Sequence, residues 1–419
     1  MIRLQHSLAA LLGHALIALA ADAAAQTLEF SDALRAAEAQ SPRLAAQRHA
    51  LSAAGEQVAR ATELPDPKLR LGIENLPVSG ADPFRYDRDF MTMRSIGWMQ
   101  EFPNGAKRAA RGERAARLRD VEQANLAAQN TLLRKEAATA WLEAYYAERV
   151  RAALARLAGQ FSLQIESVAA GIARGRQQAA EGYALRQVLE QANDRVIEQE
   201  RAVAKARIQL AAWVGEEARK RLGQPPDTSR LAHPRASLTE ELVRHPQLQV
   251  YDQRESLARA EVELARSSKN SDWSVEVGYG YRRPAFDNML TVMLAFELPW
   301  QAGKRQDRDI ASRLAEVERT RAEREDARRM HEAEVRSWLA DFDTAQRRIE
   351  RAERVLLPLA RERREAALAA YRGGRSELGS VLEAERSVAD AELALVQSEA
   401  ERARAWASLS FLFPHGDAK

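Results

Sequence analysis

Apolar and polar positions alternate along the chain with two different periods. Residues 113–158 and 304–357 contain neither Gly nor Pro, and the apolar stripe Leu154, Leu157, Phe161, Ile165 and Val168 runs at three- and four-residue steps. Val381, Val388 and Leu395 recur at sevens. Both patterns predict long helices packed along an apolar seam. Four shorter segments have period two and predict strands at about 66–77, 90–103, 272–283 and 288–300. In Lys68-Leu69-Arg70-Leu71-Gly72-Ile73-Glu74 the odd positions are apolar, and Trp273-Ser274-Val275-Glu276-Val277-Gly278-Tyr279-Gly280-Tyr281 keeps that parity. The fourth strand sets Leu290, Val292, Leu294, Phe296 and Leu298 against Met289, Thr291, Met293, Ala295 and Glu297. The second strand is less regular. Matched to the others, it places Arg94, Ile96, Trp98, Gln100 and Phe102 outward and Met93, Ser95, Gly97, Met99 and Glu101 inward.

The pattern occurs twice. Ser41-Pro42-Arg43-Leu44 recurs as His245-Pro246-Gln247-Leu248, Glu101-Phe102-Pro103 as Glu297-Leu298-Pro299, Trp141-Leu142 as Trp338-Leu339, and Gly175-Arg176 as Gly374-Arg375. The order is constant and the offset stays near roughly 200 residues, so the chain reads as two copies of one unit, 27–225 and 232–419. In each copy two helices precede the strand pair and a long helical hairpin follows it. Ser31 is expected to open the first helix and Ser41 to cap the second, with Pro42 at its first position. Ser237-Leu238-Thr239-Glu240 has the form of a capping box. A helix from 107 to about 171 would be roughly 95 Å long. Helices at about 42–63 and 177–214, laid end to end, have nearly the length to pair with it. Pro358 should kink or break the second long helix.

Composition narrows the choice. The 419 residues include 63 Lys+Arg, 60 Asp+Glu, seven His and no Cys, with only 6% aromatic residues. Long helices suit this better than several thick cores. The absence of Cys excludes a disulfide framework, a thiolate metal site, a catalytic thiol and a lipidated Cys. A net charge of +3 is too small to argue for nucleic-acid binding. Residues 1–25 carry one Arg, an apolar stretch and Ala23-Ala24-Ala25, the layout of a signal peptide cleaved after Ala25. Beyond it no run of 18 apolar residues occurs, so any membrane crossing must be made by strands.

Strands of about ten residues with one apolar face edged by Trp, Tyr and Phe fit a membrane barrel over a watery lumen. Four strands cannot close a barrel, and open edges are not tolerated in lipid, so several chains would have to share one. The competing reading is a water-soluble sheet with one buried face, in a periplasmic coiled-coil scaffold or adaptor.

With these features the chain resembles the TolC-like outer-membrane efflux factors of Gram-negative bacteria. The resemblance rests on the duplicated unit, on Glu101-Phe102-Pro103 and Glu297-Leu298-Pro299, and on Tyr371-Arg372-Gly373-Gly374-Arg375-Ser376 at a helix turn. Leu64-Pro65-Asp66-Pro67 through Met99-Gln100-Glu101-Phe102-Pro103 is most similar to the heavy-metal branch, which works with RND-type pumps. The resemblance implies a mainly α fold with a small membrane β-barrel portion, a homotrimer sharing 12 strands, and a location in the outer membrane reaching into the periplasm. It implies a periplasmic adaptor and an inner-membrane RND pump as partners, contact with outer-membrane lipid, no nucleic acid and no cofactor. The barrel strands would then be the anchor. The same duct serving organic drugs or type I secretion remains an alternative.

A duct needs no catalytic residue, and the motifs of phosphate loops, HExxH and GxSxG elbows are missing from any fitting context. The resemblance places adaptor-contacting tips at Gly175, Arg176, Gly374, Arg375 and Ser376. It places an acidic periplasmic aperture near Glu181 and Glu383, where carboxylates would concentrate cations. Glu101 and Glu297 have the parity of the barrel lumen. Met93, Met99, Met289 and Met293 share it and carry thioethers, soft ligands suited to Cu(I) or Ag(I), although flexible packing in the barrel would also account for them.

Overall fold

The computed structural model describes residues 27–173 and 178–413. The expected signal segment and the tip residues Gly175 and Arg176 lie outside them. The chain order is β1 (Thr27–Leu28), α1 (Phe30–Gln40), α2 (Pro42–Ala61), β2 (Lys68–Glu74), β3 (Met93–Phe102), α3 (Gly105–Ala173), α4 (Ala179–Val214) and β4 (Arg221–Leu222). It continues with α5 (Arg235–Glu240), α6 (Pro246–Ser267), β5 (Trp273–Tyr281), β6 (Met289–Phe296), α7 (Gln306–Arg351), a π-helical segment (Ala352–Leu356), α8 (Leu357–Arg372) and α9 (Leu378–Ser410). Two helices, a strand pair and a long helical hairpin thus follow one another twice. Two compact units cut across that repeat: one comprises 1–45, 127–246 and 329–419, the other 46–126 and 247–328.

The second unit holds the four-stranded antiparallel sheet, ordered β2-β3-β5-β6. Its register carries the period-two reading across all strands: Leu71 faces Ile96, Ile96 faces Tyr279, and Tyr279 faces Leu290. Both outer strands are exposed along their whole length. The sheet passes into helix through a polar clamp. Asn104 accepts the Lys107 N–H at 2.7 Å and donates to Asp272 at 2.9 Å, while the Lys107 ammonium pairs with Asp272. Below it, α2 is tied to α3 by Gln47 donating to the Glu122 carboxylate at 2.6 Å, and α3 to α6 by Arg114 and Glu261 at 3.0 Å.

In the first unit the apolar stripe is buried as the spacing requires. Leu157, Phe161 and Val168 of α3, Leu185 and Ala192 of α4, and Leu378, Val381 and Leu382 of α9 form one core. Trp141 is fully buried, and its indole N–H donates to the Leu28 carbonyl at 3.2 Å. This fixes a two-residue parallel bridge between β1 and β4 that has no counterpart in the sequence pattern.

Helix ends agree with the sequence in part. Ser41 Oγ accepts the Leu44 N–H at 3.2 Å, as a cap should. Ser31, in contrast, lies inside α1, whose N-cap is Glu29, and Ser237 lies inside α5, whose N-cap is Pro234. The Ser237 hydroxyl donates to the Pro234 carbonyl at 2.7 Å, so no capping box forms. Pro358 does not end its helix. Lacking an N–H and crowding the carbonyl four residues back, it follows a π-helical segment that absorbs the mismatch, and the helix runs on to Arg372.

Candidate functional site

The sheet has two chemically distinct faces. On one, Leu69, Leu71, Ile73, Ile96, Val277, Leu290, Val292 and Leu294 stand exposed, Leu71 at 72% and Val292 at 63%. Aromatic rings bound this face at both ends: Phe102 stacks on Trp273 at 4.3 Å where the helices begin, and Tyr279 and Tyr281 lie near the strand loops. Arg94, the one charge on this face, sits at the loop end with its guanidinium over the Tyr86 ring at 4.7 Å. An apolar surface of this extent is stable only when covered, and the unpaired edges of β2 and β6 need partners as well.

The opposite face is polar and built in cross-strand rows. Lys68, Met99, Glu276 and Met293 are successive partners in one row, and Arg70, Gly97, Gly278 and Thr291 in the next. Arg70 reaches across to the Glu276 carboxylate at 3.0 Å and to the Met99 sulfur at 3.4 Å, while Lys68 pairs with Glu101. Small residues make this possible: a Cβ on Gly97 would come within 3.3 Å of the Glu276 carboxylate, and one on Gly280 would strike the Met93 sulfur. The rows enclose a hollow of about 580 Å³ lined in part by Met93 and Met293. The structure therefore brings the four methionines to one face but not together. Met99 and Met293 flank Glu276, whereas Met289 faces Gly280 nearer the loops, where Met93 lies. Of the lumen-parity acids, Glu101 pairs with Lys68, and Glu297 follows β6 with no side-chain partner among the described residues. Sequence reading did not single out Arg70, although its inward parity was visible.

In the first unit, Glu181 lies in the first turn of α4 and has one carboxylate oxygen buried without a hydrogen bond among the described residues. Glu383 lies on α9 beside the core residue Leu382, exposed, and pairs with Arg363 of α8 at 2.6 Å. Both helices contribute to the same core through Leu185 and Leu382, and no hydrogen bond or ion pair joins the two acids among the described residues. A third carboxylate, Glu385, was not foreseen: burial raises its pKa against the opposing pull of Arg364. Gly374 has φ +67° at the α8–α9 turn, a left-handed conformation that suits Gly, and it is followed by Arg375 and Ser376. Among the described residues no group of three His, Asp or Glu is arranged to hold a metal, and no helix is long and apolar enough to cross a membrane.

The backbone matches solved structures over nearly its whole length. A membrane protein from Pseudomonas aeruginosa superposes with a TM-score of 0.79 at 18% identity, covering 91% of this chain and 92% of that one. CusC, described in terms of folding and transmembrane channel formation, gives 0.77 at 17% identity and 92% of both chains. The Campylobacter jejuni CmeC outer membrane channel gives 0.77 at 12% identity, with 92% and 85% covered. The chain has the fold of the TolC-like outer-membrane efflux channels. Residues 238–413, most of the second repeat, also match the family model described as outer membrane efflux protein. No curated protein matches the chain in sequence.

Proposed function

We propose that the chain is the outer-membrane exit channel of a tripartite efflux system, a transport protein and not an enzyme. The observation that carries this reading is the sheet: one face apolar, exposed and bounded by aromatic rings, the other polar, and both edges unpaired. Three copies supply 12 strands, lipid covers the apolar face, and the polar face lines the lumen. The helices extend the duct into the periplasm. There Gly175, Arg176, Gly374, Arg375 and Ser376, the tip positions expected from the sequence, meet the adaptor that links it to an inner-membrane RND pump.

Heavy-metal cations are the cargo favoured by the lumen chemistry. Lys68 and Arg70 are matched by Glu101 and Glu276, and Glu74 and Glu297 remain as surplus negative charge. Repeated around three copies, this surplus attracts cations without binding them. The methionines add at most a weak, transient contact, because Arg70 occupies the Met99 sulfur. At the aperture Glu383 is balanced by Arg363, which leaves Glu181 as the less compensated of the two predicted acids. Tolerance of a deletion strain to copper, silver, zinc, cobalt and nickel tests the cargo. Unchanged tolerance, with raised sensitivity to organic compounds, would assign the duct to drugs instead.

A further inference from the structure

On the polar face of the sheet, one basic side chain stands where a metal cation would otherwise be held. Met99, Glu276 and Met293 are consecutive cross-strand partners on β3, β5 and β6. Neighbouring strands lie about 4.8 Å apart, so the two methionine backbones are separated by roughly 10 Å with Glu276 midway. Glu276 and Met293 both line the hollow on this face. Arg70, from the next row on β2, reaches into the set: Nη1 donates to Glu276 Oε2 at 3.0 Å and Nη2 to the Met99 sulfur at 3.4 Å. The other carboxylate oxygen, Oε1, lies over Gly97 and has no hydrogen-bond partner among the described residues. Lys68, which faces Met99 across the β2–β3 pair, is held by Glu101. The other acid of the wall, Glu74, faces Met93 three rows nearer the loops. A carboxylate and a thioether thus share one cation, and that cation belongs to the protein.

We propose that Met99, Glu276 and Met293 form a site for soft monovalent cations, Cu(I) or Ag(I), and that Arg70 is its tethered competitor. Thioethers are soft donors that select such ions, and the carboxylate supplies the charge that two neutral sulfurs lack. To enter, the ion displaces the guanidinium from Glu276 and Met99, and Met293 closes from the opposite side. Gly97 and Gly278, which share the row of Arg70, leave the guanidinium room to swing aside. Arg70 stays attached to β2 beside the ion, repels it, and reclaims both acceptors as it leaves, so occupancy is brief. Hard divalent cations gain little here, because they want several oxygen ligands and the set offers one carboxylate. Met93 and Met289 meet around Gly280, four residues along β5 from Glu276, and take no part. The site rests on reading this face as the lumen of a metal-conducting duct, and it names the residue that sets how long the cargo is held.

The test is silver binding by the full-length protein in detergent, dialysed against Ag(I) nitrate in chloride-free buffer, with bound metal counted by mass spectrometry. Arg70→Ala should tighten one silver site per chain by about tenfold or more over the unaltered protein, the factor for removing one charge-assisted hydrogen bond that the ion must otherwise break. Arg70→Lys, which keeps the charge, should stay near the unaltered protein. Adding Met99→Leu or Glu276→Gln to Arg70→Ala should abolish the gain, and adding Met289→Leu should leave it. Arg70→Gln serves the same comparison if Arg70→Ala does not assemble. No gain on removing the guanidinium, an equal gain in Arg70→Lys, or a gain that survives Met99→Leu or Glu276→Gln overturns the proposal while leaving the metal cargo standing. Unchanged metal tolerance of the deletion strain removes that cargo whatever the dialysis shows.

Discussion

Acidification should weaken the first unit through a buried histidine pair. His245 Nδ1 lies 2.6 Å from His331 Nε2, and the two residues are 1% and 5% exposed. The His233 and Phe413 rings stand against each other at 4.8 Å, and Phe413 closes on His245 at 4.7 Å. Only one proton fits the contact between the paired nitrogens, and His245 Nε2 has no partner among the described residues. Burial, then His331 and His233, push the His245 pKa from 6.5 to about 4. Burial also lowers that of His331, with Lys135 acting in the same sense and Glu334 opposing. The unfolded chain therefore takes up a proton near pH 6.5 that the folded chain refuses until about pH 4. Stability is full above the first value and declines as the pH falls toward the second. The fall from 6.5 to about 4 corresponds to a loss on the order of 3 kcal/mol per chain from His245 alone. For a unit of this size that lowers the melting temperature by on the order of 5–10 °C. Thermal melts in detergent at pH 7 and pH 4.5 should show this loss, and His245→Phe, which keeps an aromatic ring against Phe413, should remove most of it. Equal pH dependence in the two proteins would refute the argument.

Other substitutions separate the two faces and the two ends. Val292→Arg places a charge at the centre of the apolar face and should cost about 2–4 kcal/mol in membrane assembly, whereas Thr291→Arg on the polar face should be mild; equal damage in a heat-modifiability gel would contradict the face assignment. Asn104→Ala removes a cap and a clamp to Asp272 together, and should lower stability by about 1–2 kcal/mol, read from the denaturation midpoint. Arg363→Ala breaks an exposed pair worth under about 1 kcal/mol, so stability should hardly change. The freed Glu383 should raise cation over anion permeability in planar bilayers, and unchanged ion selectivity would remove Glu383 from the aperture.

What the sequence disclosed was set by period and order. Alternation along β2, β5 and β6 was enough to assign faces that the register then carried through β3, even though β3 itself includes Arg94 and Gln100 on the apolar side. Pro358 marked a real irregularity because the absence of an N–H has a local consequence. The bridge of Thr27–Leu28 with Arg221–Leu222 left no trace, since two residues define no period and the contact is made through Trp141. Ser237 misled because a capping box depends on where the backbone enters the helix, and Pro234 supplies an earlier start. At the candidate sites, carboxylate positions could be named but their compensation could not. The partners Lys68 for Glu101 and Arg363 for Glu383 come from other elements.

The central claim is that strands from several copies close one membrane barrel. Light scattering on the detergent-extracted protein, corrected for bound detergent, tests it most directly. A particle with the mass of three chains, obtained only with detergent, is the predicted result; a single chain released into the soluble fraction without detergent would contradict the account.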